Sequence, residues 1–308
     1  MSKDHSTIIS QIKADVIFLL NRLVLLNKQK PKFSLCPTAT AVFLSAKQMS
    51  EIQNQLNEAS PIINNLKNKL IVGDALTLMR QMPDHSIDLV VTSPPYNLKN
   101  STGNGMKDGR GGKWKNAELL NGYSHHNDCM PHDEYVAWQR ECLTEMYRLI
   151  KEDGAIFYNH KWRVQGGLLQ DRQDIVSGFP VRQIIIWQRN GGINFNKGYF
   201  LPTYEVIYLI CKPKFKLSQG ANRHGDVWSF AQERNNPHPA PYPVALIERI
   251  IGSTEAKLVL DPFVGSGTTA IAASNLGRDF FGIDISPDYI QYARERLESH
   301  LRTLHGGN

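Results

Sequence analysis

The chain has 308 residues and a formal net charge of +6; 41% of the residues are hydrophobic and 21% are charged. This length suits one large domain or two modest ones that bury a core without disulfide or metal support, and the composition excludes a disordered chain. The excess of Lys and Arg favours an anionic partner such as nucleic acid over a cationic one.

The cysteines and the apolar segments bear on the compartment. The four cysteines, at positions 36, 129, 142 and 211, show no C-x-x-C spacing, which argues against a disulfide framework and a zinc ribbon. The most apolar stretch, residues 16–26, is interrupted by Asn21 and Arg22, so it falls short of the ~18 residues that a membrane-spanning helix needs. No signal cleavage site follows it. We therefore expect a cytoplasmic protein with no membrane partner.

Residues 1–66 carry no recognisable chemical motif. They contain helical patterns near residues 8–27 and 46–57, separated by a break with Pro and Lys at 29–33. We interpret them as an N-terminal helical extension of unknown role, with Met49 as an alternative start of the chain. The main domain is predicted over residues 67–302, followed by a short tail at 303–308.

The main domain alternates strands with helices. In chain order we predict strands at 70–72 and 86–93, a helix at 133–150, strands at 154–158, 181–187 and 204–211, a helix at 241–252, a strand at 257–260, a helix at 268–276, a strand at 279–285 and a helix at 286–301. Ser286 as the N-cap and Pro287 in the first turn mark the start of the last helix. This alternation predicts an α/β fold with a mostly parallel sheet.

The strand at 86–93 runs into the most specific feature of the chain, residues 92–97 with the sequence Thr-Ser-Pro-Pro-Tyr-Asn. Two consecutive prolines fix the backbone and remove two amide donors, so the corner offers carbonyl acceptors and the Ser93 hydroxyl beside an aromatic ring. Ligands of α/β proteins bind at the carboxyl ends of such strands. These groups suit an amino group that donates hydrogen bonds while Tyr96 stacks on the ring that carries it. A rigid turn with Tyr96 as a packing residue is the structural alternative.

Two basic segments are candidates for contacts with phosphate groups. The Gly-rich loop at 98–130 places Trp114 and Tyr123 among basic side chains, a composition that suits backbone contacts and stacking on bases, although a solvated loop has the same composition. The segment at 188–237 is also basic. The candidate DNA-binding residues are Lys99, Arg110, Lys113, Lys115, Arg189 and Lys197. Near the loop lie His125, His126, Cys129 and His132. These four lack paired ligand spacing, so no metal site is predicted.

Near the C-terminus the strand at 257–260 leads into the turn Gly265-x-Gly267-x-x-Ala270, which satisfies the G-x-G-x-x-G/A fingerprint. Glycines let the backbone pass close to a ligand, and the amides of the following helix point at it. Asp284 ends the next strand about 20 residues on, where a ribose-binding carboxylate belongs. Too few residues follow Gly267 to complete a dinucleotide-binding sheet, which argues against NAD and indicates a permuted domain.

With both motifs in view, residues 70 to 301 resemble the amino-group DNA methyltransferases that use S-adenosyl-L-methionine. The narrower resemblance is to the permuted, beta-class-like group, in which the Ser-Pro-Pro-Tyr motif precedes the cofactor motif. It implies a Rossmann-like methyltransferase fold with a short target-recognition insert at 188–237, assisted by the loop at 98–130. The cofactor-binding residues that it implies are Asp74, His238, Pro239, Asp261, Phe263, Gly265, Ser266, Gly267, Thr268 and Asp284.

The resemblance also implies the reaction. A base flipped out of double-stranded DNA would enter a pocket formed by Ser93, Pro94, Pro95 and Tyr96, where acceptors at the first two residues prepare its exocyclic amine for methyl transfer. Ser at the first position is commoner among cytosine-N4 enzymes, whereas Asn97 is frequent in the adenine-N6 group. We expect cytosine-N4 methylation, with adenine-N6 as the alternative. Ring-carbon methylation is disfavoured because no cysteine occupies a matching loop.

Other functions are consistent with the same residues. RNA or a protein glutamine amide is a more remote methyl acceptor, and a catalytically idle DNA-binding protein would keep the fold. The resemblance further suggests a homodimer and a cognate restriction endonuclease that acts independently. The recognition sequence does not follow from these residues.

Overall fold

The structure is a computed structural model that describes residues 66–97, 130–165, 167–189, 197–233, 236 and 241–305. All of them fall within one structural unit, which spans residues 54–308. The predicted extension up to residue 65, the loop at 98–129 and the last three residues lie outside the described residues. Among the helices that are described, none is long and apolar enough to cross a membrane.

Strands and helices alternate along most of the described chain. The strands are β1 (Lys69–Val72), β2 (Ile87–Thr92), β3 (Ile150–His160), β4 (Arg163–Gln165), β5 (Leu168–Gln170), β6 (Val181–Gln188), β7 (Tyr204–Cys211), β8 (Val227–Ser229), β9 (Leu258–Asp261) and β10 (Asp279–Asp284). The helices are α1 (Ala75–Arg80), α2 (His132–Leu149), α3 (Gln173–Val176), α4 (Val244–Gly252), α5 (Thr268–Asn275) and α6 (Pro287–His305), with a short 3₁₀ turn at Ala221–Arg223.

Eight of these strands form one sheet in the order β1-β10-β9-β2-β3-β7-β6-β8. Strand β7 runs antiparallel to its neighbours β3 and β6, and the other neighbouring pairs in the described sheet are parallel. The sheet is therefore mostly parallel, as predicted. Strands β9 and β2 lie side by side although a long stretch of chain separates them, with Leu89 opposite Val259.

The core has two parts, one on each face of the sheet, between the sheet and the helices that cover it. Alternate residues of a strand point to opposite faces, so Leu89 packs in the cluster that contains Ile247 of α4, whereas Val90 packs in the cluster that contains Met146 of α2. Strands buried on both faces are continuous apolar runs. The apolar runs of β2 and β7 therefore predict strands although polar and apolar residues do not alternate in them.

The seven predicted strands are all present, and α2 and α4 to α6 begin and end close to their predicted bounds. Strand β3 starts earlier than predicted, at Ile150, because Lys151, Glu152 and Asp153 are polar and gave no strand signal. The prediction also missed the short strand β8, the β4–β5 hairpin and the short helices α1 and α3. These elements have three to six residues, too few to establish a period.

The close contact between β10 and its neighbours makes Gly282 a sensitive position. A Cβ atom there would lie 2.6 Å from Leu70 Cδ2 and 2.9 Å from Val264 Cγ2. We expect Gly282→Ala to lower the free energy of unfolding by about 1–3 kcal/mol because the core must shift to accept the methyl group. Urea denaturation measures this. Gly225→Ala is the matched control, since a Cβ atom at Gly225 meets no atom of the described residues within 4 Å. Equal losses in the two variants would contradict the prediction.

Candidate active site

The Ser-Pro-Pro-Tyr corner and the glycine turn leave the same edge of the sheet. They follow β2 and β9, which are adjacent and parallel, so their carboxyl ends meet. The Thr92 hydroxyl, at the end of β2, donates a hydrogen bond of 2.8 Å to Oδ1 of Asp261, at the end of β9. Two motifs that are far apart in sequence thus form one site.

The buried carboxylate of Asp261 is the junction of this site. Oδ1 also accepts from the backbone N–H of Phe263 at 3.1 Å, and Oδ2 accepts from the hydroxyls of Tyr242 and Thr269, each at 2.6 Å. Burial raises the pKa of Asp261, and the four hydrogen bonds act in the opposite direction. Because this carboxylate is only 1% exposed, it is inaccessible to a bound molecule. Asp261 was predicted among the cofactor-binding residues; the structure gives its side chain the task of holding the loop.

The glycine turn has the backbone that its sequence predicts. Gly265 and Gly267 have φ values of 48° and 83°, in the left-handed region where glycine is favoured. Gly267 is also the N-cap of α5, and a Cβ atom there would lie 2.9 Å from Cβ of Ala293 in α6. The second glycine is therefore required both by backbone conformation and by close packing of the two helices.

The predicted ribose-binding carboxylate lies against this turn. Oδ2 of Asp284 accepts from the backbone N–H of Gly265 at 3.0 Å, and Oδ1 accepts from the backbone N–H of Ser286 at 2.9 Å. A carboxylate has about four acceptor positions, so these two bonds orient the group. Asp74, the other predicted acidic residue, is exposed at the end of β1 beside β10 and caps α1 by accepting from the N–H of Thr77 at 2.8 Å.

Two further cofactor candidates, Ser266 and Thr268, belong to a second polar cluster that includes Arg296 of α6, which the sequence analysis missed. The Arg296 guanidinium donates to the hydroxyl of Thr268 at 3.0 Å and to the carbonyl of Ser266 at 3.1 Å, and it pairs with Glu233 at 2.6 Å. Asn236 donates to the Ser266 hydroxyl at 3.0 Å. These contacts fasten the chain before α4 to the glycine turn.

Phe263 packs its ring edge-on against Trp138 of α2, with 5.7 Å between the ring centroids. His238 and Pro239, the last two cofactor candidates, lie outside the described residues.

At the Pro-Pro corner the carbonyl groups of the two prolines differ. The Pro95 carbonyl accepts from the Tyr135 hydroxyl at 2.9 Å and from Gln139 Nε2 at 3.1 Å. Among the described residues no donor contacts the Pro94 carbonyl; Pro94 itself is buried, and Ser93 beside it is partly exposed. The corner therefore offers two acceptors, Ser93 Oγ and the Pro94 carbonyl, while the second carbonyl holds the corner to α2.

Tyr96 lies inside this corner and is only 3% exposed. Its ring packs on that of His160, with centroids 4.8 Å apart, and its hydroxyl is 2.5 Å from Ser93 Oγ. His160 thus occupies one side of the ring, and the hydroxyl is engaged within the protein; stacking of Tyr96 on a base stays a prediction.

Two buried residues beneath the corner were also missed. Asn159 Nδ2, at the end of β3, lies 2.8 Å from the Tyr96 hydroxyl and 2.8 Å from Oε2 of Glu205 in β7. Oε1 of Glu205 faces Nη1 of Arg189 at 3.2 Å. A sequence signal existed, because a carboxylate inside the apolar run of β7 has to be paired when it is buried.

The positions of the predicted DNA-binding residues differ. The Arg189 side chain is only 11% exposed and pairs with Glu205; its contact with DNA phosphates stays a prediction. Lys197 lies in an exposed turn between β6 and β7. The four remaining candidates, Lys99, Arg110, Lys113 and Lys115, lie outside the described residues. Within the described parts of the chain, no three His, Cys, Asp or Glu side chains cluster as metal ligands would; His125, His126 and Cys129 are not among those residues.

Comparison with known proteins identifies the class of protein that this site belongs to. Residues 87–295 match the model of the N6/N4 methyltransferase family, described as DNA methylase. The chain therefore belongs to this family of DNA methylases.

Relatives and solved structures agree with this assignment. The chain is 31% identical over 272 residues to the Type II methyltransferase M.BglII of Bacillus subtilis, covering 75% of this chain and 69% of the relative. It is 27% identical over 279 residues to the DNA adenine methyltransferase YhdJ of Escherichia coli (strain K12), covering 79% and 84%.

Two solved structures share the fold. TTHA0409 from Thermus thermophilus, complexed with S-adenosyl-L-methionine, has a TM-score of 0.54 at 25% identity, over 75% of this chain and 93% of that one. The cytosine-N4-specific PvuII DNA methyltransferase has a TM-score of 0.57 at 19% identity, over 77% and 93%. The predicted Rossmann-like α/β fold is thus confirmed.

The buried histidine of the corner makes folding sensitive to acid. Burial, with Arg172 and Arg163 nearby, lowers the pKa of His160 to about 3. In the unfolded chain this imidazole takes up a proton near pH 6.5. The unfolded state therefore binds more protons between these two values, and the free energy of unfolding falls as the pH falls through this window.

We expect His160→Gln to remove this contribution. Between pH 7.5 and pH 5 the wild type should lose about 2 kcal/mol more than the variant, as measured by urea denaturation at both pH values. His224→Gln, which alters an exposed histidine, is the control. Parallel losses in wild type and His160→Gln would show that His160 is not held neutral in the fold.

Proposed function

We propose that this chain is a site-specific DNA methyltransferase of the permuted, beta-class-like group, which methylates the exocyclic amine of a base flipped out of double-stranded DNA. The observation that supports this proposal best is the junction of β2 and β9. It places the acceptors of the Ser-Pro-Pro-Tyr corner beside a glycine turn that suits a nucleoside cofactor. Flipping is needed because the amine cannot reach such a corner from within a duplex.

The residues at the glycine turn fit S-adenosyl-L-methionine as the methyl donor. Gly265 brings the backbone close to the edge of the sheet, and the partly exposed carboxylate of Asp284 is oriented by two backbone N–H groups, as a ribose-binding group must be. Asp74 lies at the end of the neighbouring strand, which is suitable for the adenosine end. When bound, this cofactor supplies an electrophilic methyl group on a positively charged sulfur.

The corner would prepare the amine for attack. An exocyclic amine is a poor nucleophile, because its lone pair is delocalised into the ring. Hydrogen bonds from its two N–H groups to Ser93 Oγ and the Pro94 carbonyl favour a tetrahedral nitrogen, on which the lone pair is localised. The protein then contributes chiefly position and orientation.

The cysteines of the described chain argue against ring-carbon methylation, which requires a thiolate nucleophile. Cys142 and Cys211 are both buried, and burial raises the pKa of each thiol. A thiol held neutral in an apolar environment is inert. The amine chemistry of the corner needs no such group.

We propose cytosine-N4 as the target, with adenine-N6 as the alternative. Ser93 at the first motif position supports cytosine-N4 through the family association. Asn97 and the adenine-methylating relative YhdJ support the alternative. The side chain of Asn97 is occupied by the backbone of Met130, donating to its carbonyl at 2.8 Å and accepting from its N–H at 2.9 Å. Asn97 thus has a structural task independent of the base, which weakens it as a marker of adenine specificity.

We further propose that residues 188–237 and the loop at 98–130 recognise the DNA, with Lys197 and the basic loop residues on the phosphates.

The extension at 1–66 keeps no assigned role. A homodimer, a separately acting restriction endonuclease and a cytoplasmic location agree with a DNA-modifying enzyme. RNA or protein amides remain remote alternative acceptors, and a duplex-DNA methylation assay separates them.

The role of Ser93 provides the first test. We expect Ser93→Ala to slow single-turnover methyl transfer to DNA by roughly 10²–10³-fold, the cost of removing one preorganised hydrogen bond at a reacting group, with S-adenosyl-L-methionine affinity unchanged by calorimetry. Tyr96→Ala should also slow transfer severely. Ser274→Ala is the control, since among the described residues its hydroxyl contacts only the Ala270 carbonyl in α5. A wild-type rate in Ser93→Ala would overturn the assigned chemistry.

Mass spectrometry of nucleosides from DNA methylated by the purified enzyme decides the base. N4-methyldeoxycytidine is the expected product; N6-methyldeoxyadenosine would establish the alternative. Single-molecule sequencing of DNA from cells that express the protein adds the recognition sequence.

The basic loop gives a prediction on salt dependence. Each lost phosphate contact reduces the slope of log affinity against log salt concentration by about 0.9, so Lys113→Ala with Lys115→Ala should reduce it by up to about 2. Fluorescence anisotropy with duplex DNA measures the slope. Lys67→Ala with Lys69→Ala is the control, because these exposed residues lie just before and at the start of β1, at the edge of the parallel strands opposite the corner. An unchanged slope in the loop variant would exclude this role.

A further inference from the structure

The buried polar cluster beneath the corner has a defined arrangement in the sheet. Asn159 in β3 pairs with Ile207 in β7, and Glu205 lies two residues before Ile207 on the same face. Both side chains point toward the corner after β2, where they meet the Tyr96 hydroxyl. Glu205 is only 5% exposed, so its charge has to be met by protein donors.

Three donors meet the Glu205 carboxylate. Arg189 pairs with Oε1 at 3.2 Å, while Asn159 Nδ2 and the Tyr96 hydroxyl reach Oε2 at 2.8 Å and 3.1 Å. An ionised carboxylate only accepts hydrogen bonds. The single hydroxyl proton of Tyr96 is therefore directed at Glu205.

The directions of the other hydrogen bonds follow from this one. The Tyr96 oxygen, having donated its proton, accepts from Asn159 Nδ2 at 2.8 Å. Asn159 Nδ2 has two protons, and its two short contacts, with the Tyr96 oxygen and with Glu205 Oε2, use both of them. Its contact with Ser93 Oγ is longer, at 3.3 Å. The 2.5 Å contact between Ser93 and Tyr96 needs one donor, and only Ser93 has a proton left to give.

From this count we infer that Glu205 is a positioning residue for the methyl-transfer reaction, which acts through the Tyr96 hydroxyl on Ser93. Tyr96 donates its hydrogen bond to the carboxylate, and Ser93 donates its own to the Tyr96 oxygen. The lone pairs of Ser93 Oγ are therefore available to accept from the amine. Without the carboxylate the direction of these hydrogen bonds can reverse, so that Tyr96 donates to Ser93. The Ser93 proton then points at the exocyclic amine, which is itself a donor. The inference rests on the proposed function and gives it a second layer of residues.

A double-mutant cycle tests the inference. Glu205→Gln removes the charge and adds a donor, so the chain of hydroxyls can reverse, and Tyr96→Phe removes the relaying hydroxyl. Each variant should slow single-turnover transfer at saturating cofactor and DNA by roughly 10- to 100-fold, with both dissociation constants unchanged. Because Glu205 acts through Tyr96, the double variant should be no slower than Tyr96→Phe alone.

Controls and a second measurement keep the outcomes separate. Glu298→Gln, on the exposed face of α6, should transfer at the wild-type rate, and thermal melting identifies any variant that fails to fold. Neutron crystal structures, which locate hydrogen atoms, should show the Tyr96 hydroxyl proton directed at Glu205 in the wild type and at Ser93 in Glu205→Gln.

Rate losses that multiply in the double variant, or a wild-type rate in Glu205→Gln, would overturn the inference while leaving the proposed function intact. A wild-type enzyme that methylates no base would overturn the proposed function instead. The neutron structures would then still decide whether Glu205 orients the two hydroxyls, since a Tyr96 proton directed at Ser93 in the wild type contradicts the inference without any reference to activity.

Discussion

The buried carboxylate of Asp261 is the constraint on which the candidate active site depends. It joins the ends of β9 and β2 through Thr92, holds the start of α4 through Tyr242, and reaches the first turn of α5 through Thr269. A charge in the interior is costly unless it is fully hydrogen-bonded, so the four donors and the acid stabilise one another only as a set. This requirement fixes the distance between the Ser-Pro-Pro-Tyr corner and the glycine turn.

A second buried carboxylate, Glu205, has a similar position on the other side of the corner. Asp261 is surrounded by neutral donors, whereas Glu205 also meets a guanidinium, that of Arg189. Buried polar networks of this kind favour a single arrangement because each member left unpaired would cost free energy. The corner is thus held from both sides, while Ser93 stays partly exposed. The two buried carboxylates hold the corner rigid, and Ser93 can stay accessible because it is not one of them.

The site could be predicted from sequence where backbone chemistry defines it. Gly267 has the positive φ that the fingerprint requires, and Asp284 lies against the turn as its spacing indicates. Prediction was poorer for side chains whose function depends on a partner from another strand. Arg189 has the same composition signal as a phosphate-binding residue, yet it is buried against Glu205. Arg296 gave no signal, because a basic residue on an amphipathic helix is ordinary.

The sequence by itself determined the class of fold, the seven principal strands, the two motifs and the family resemblance, since these depend on local periodicity and on residues adjacent in the chain. Only the tertiary structure decided which side chains share an interior. It placed Asp261 out of reach of a ligand, turned Tyr96 toward His160 and Glu205, and joined β2 to β9 across the length of the domain. The reason is physical: a buried polar group must find its partner in space, and sequence spacing carries no record of which distant strand will supply it.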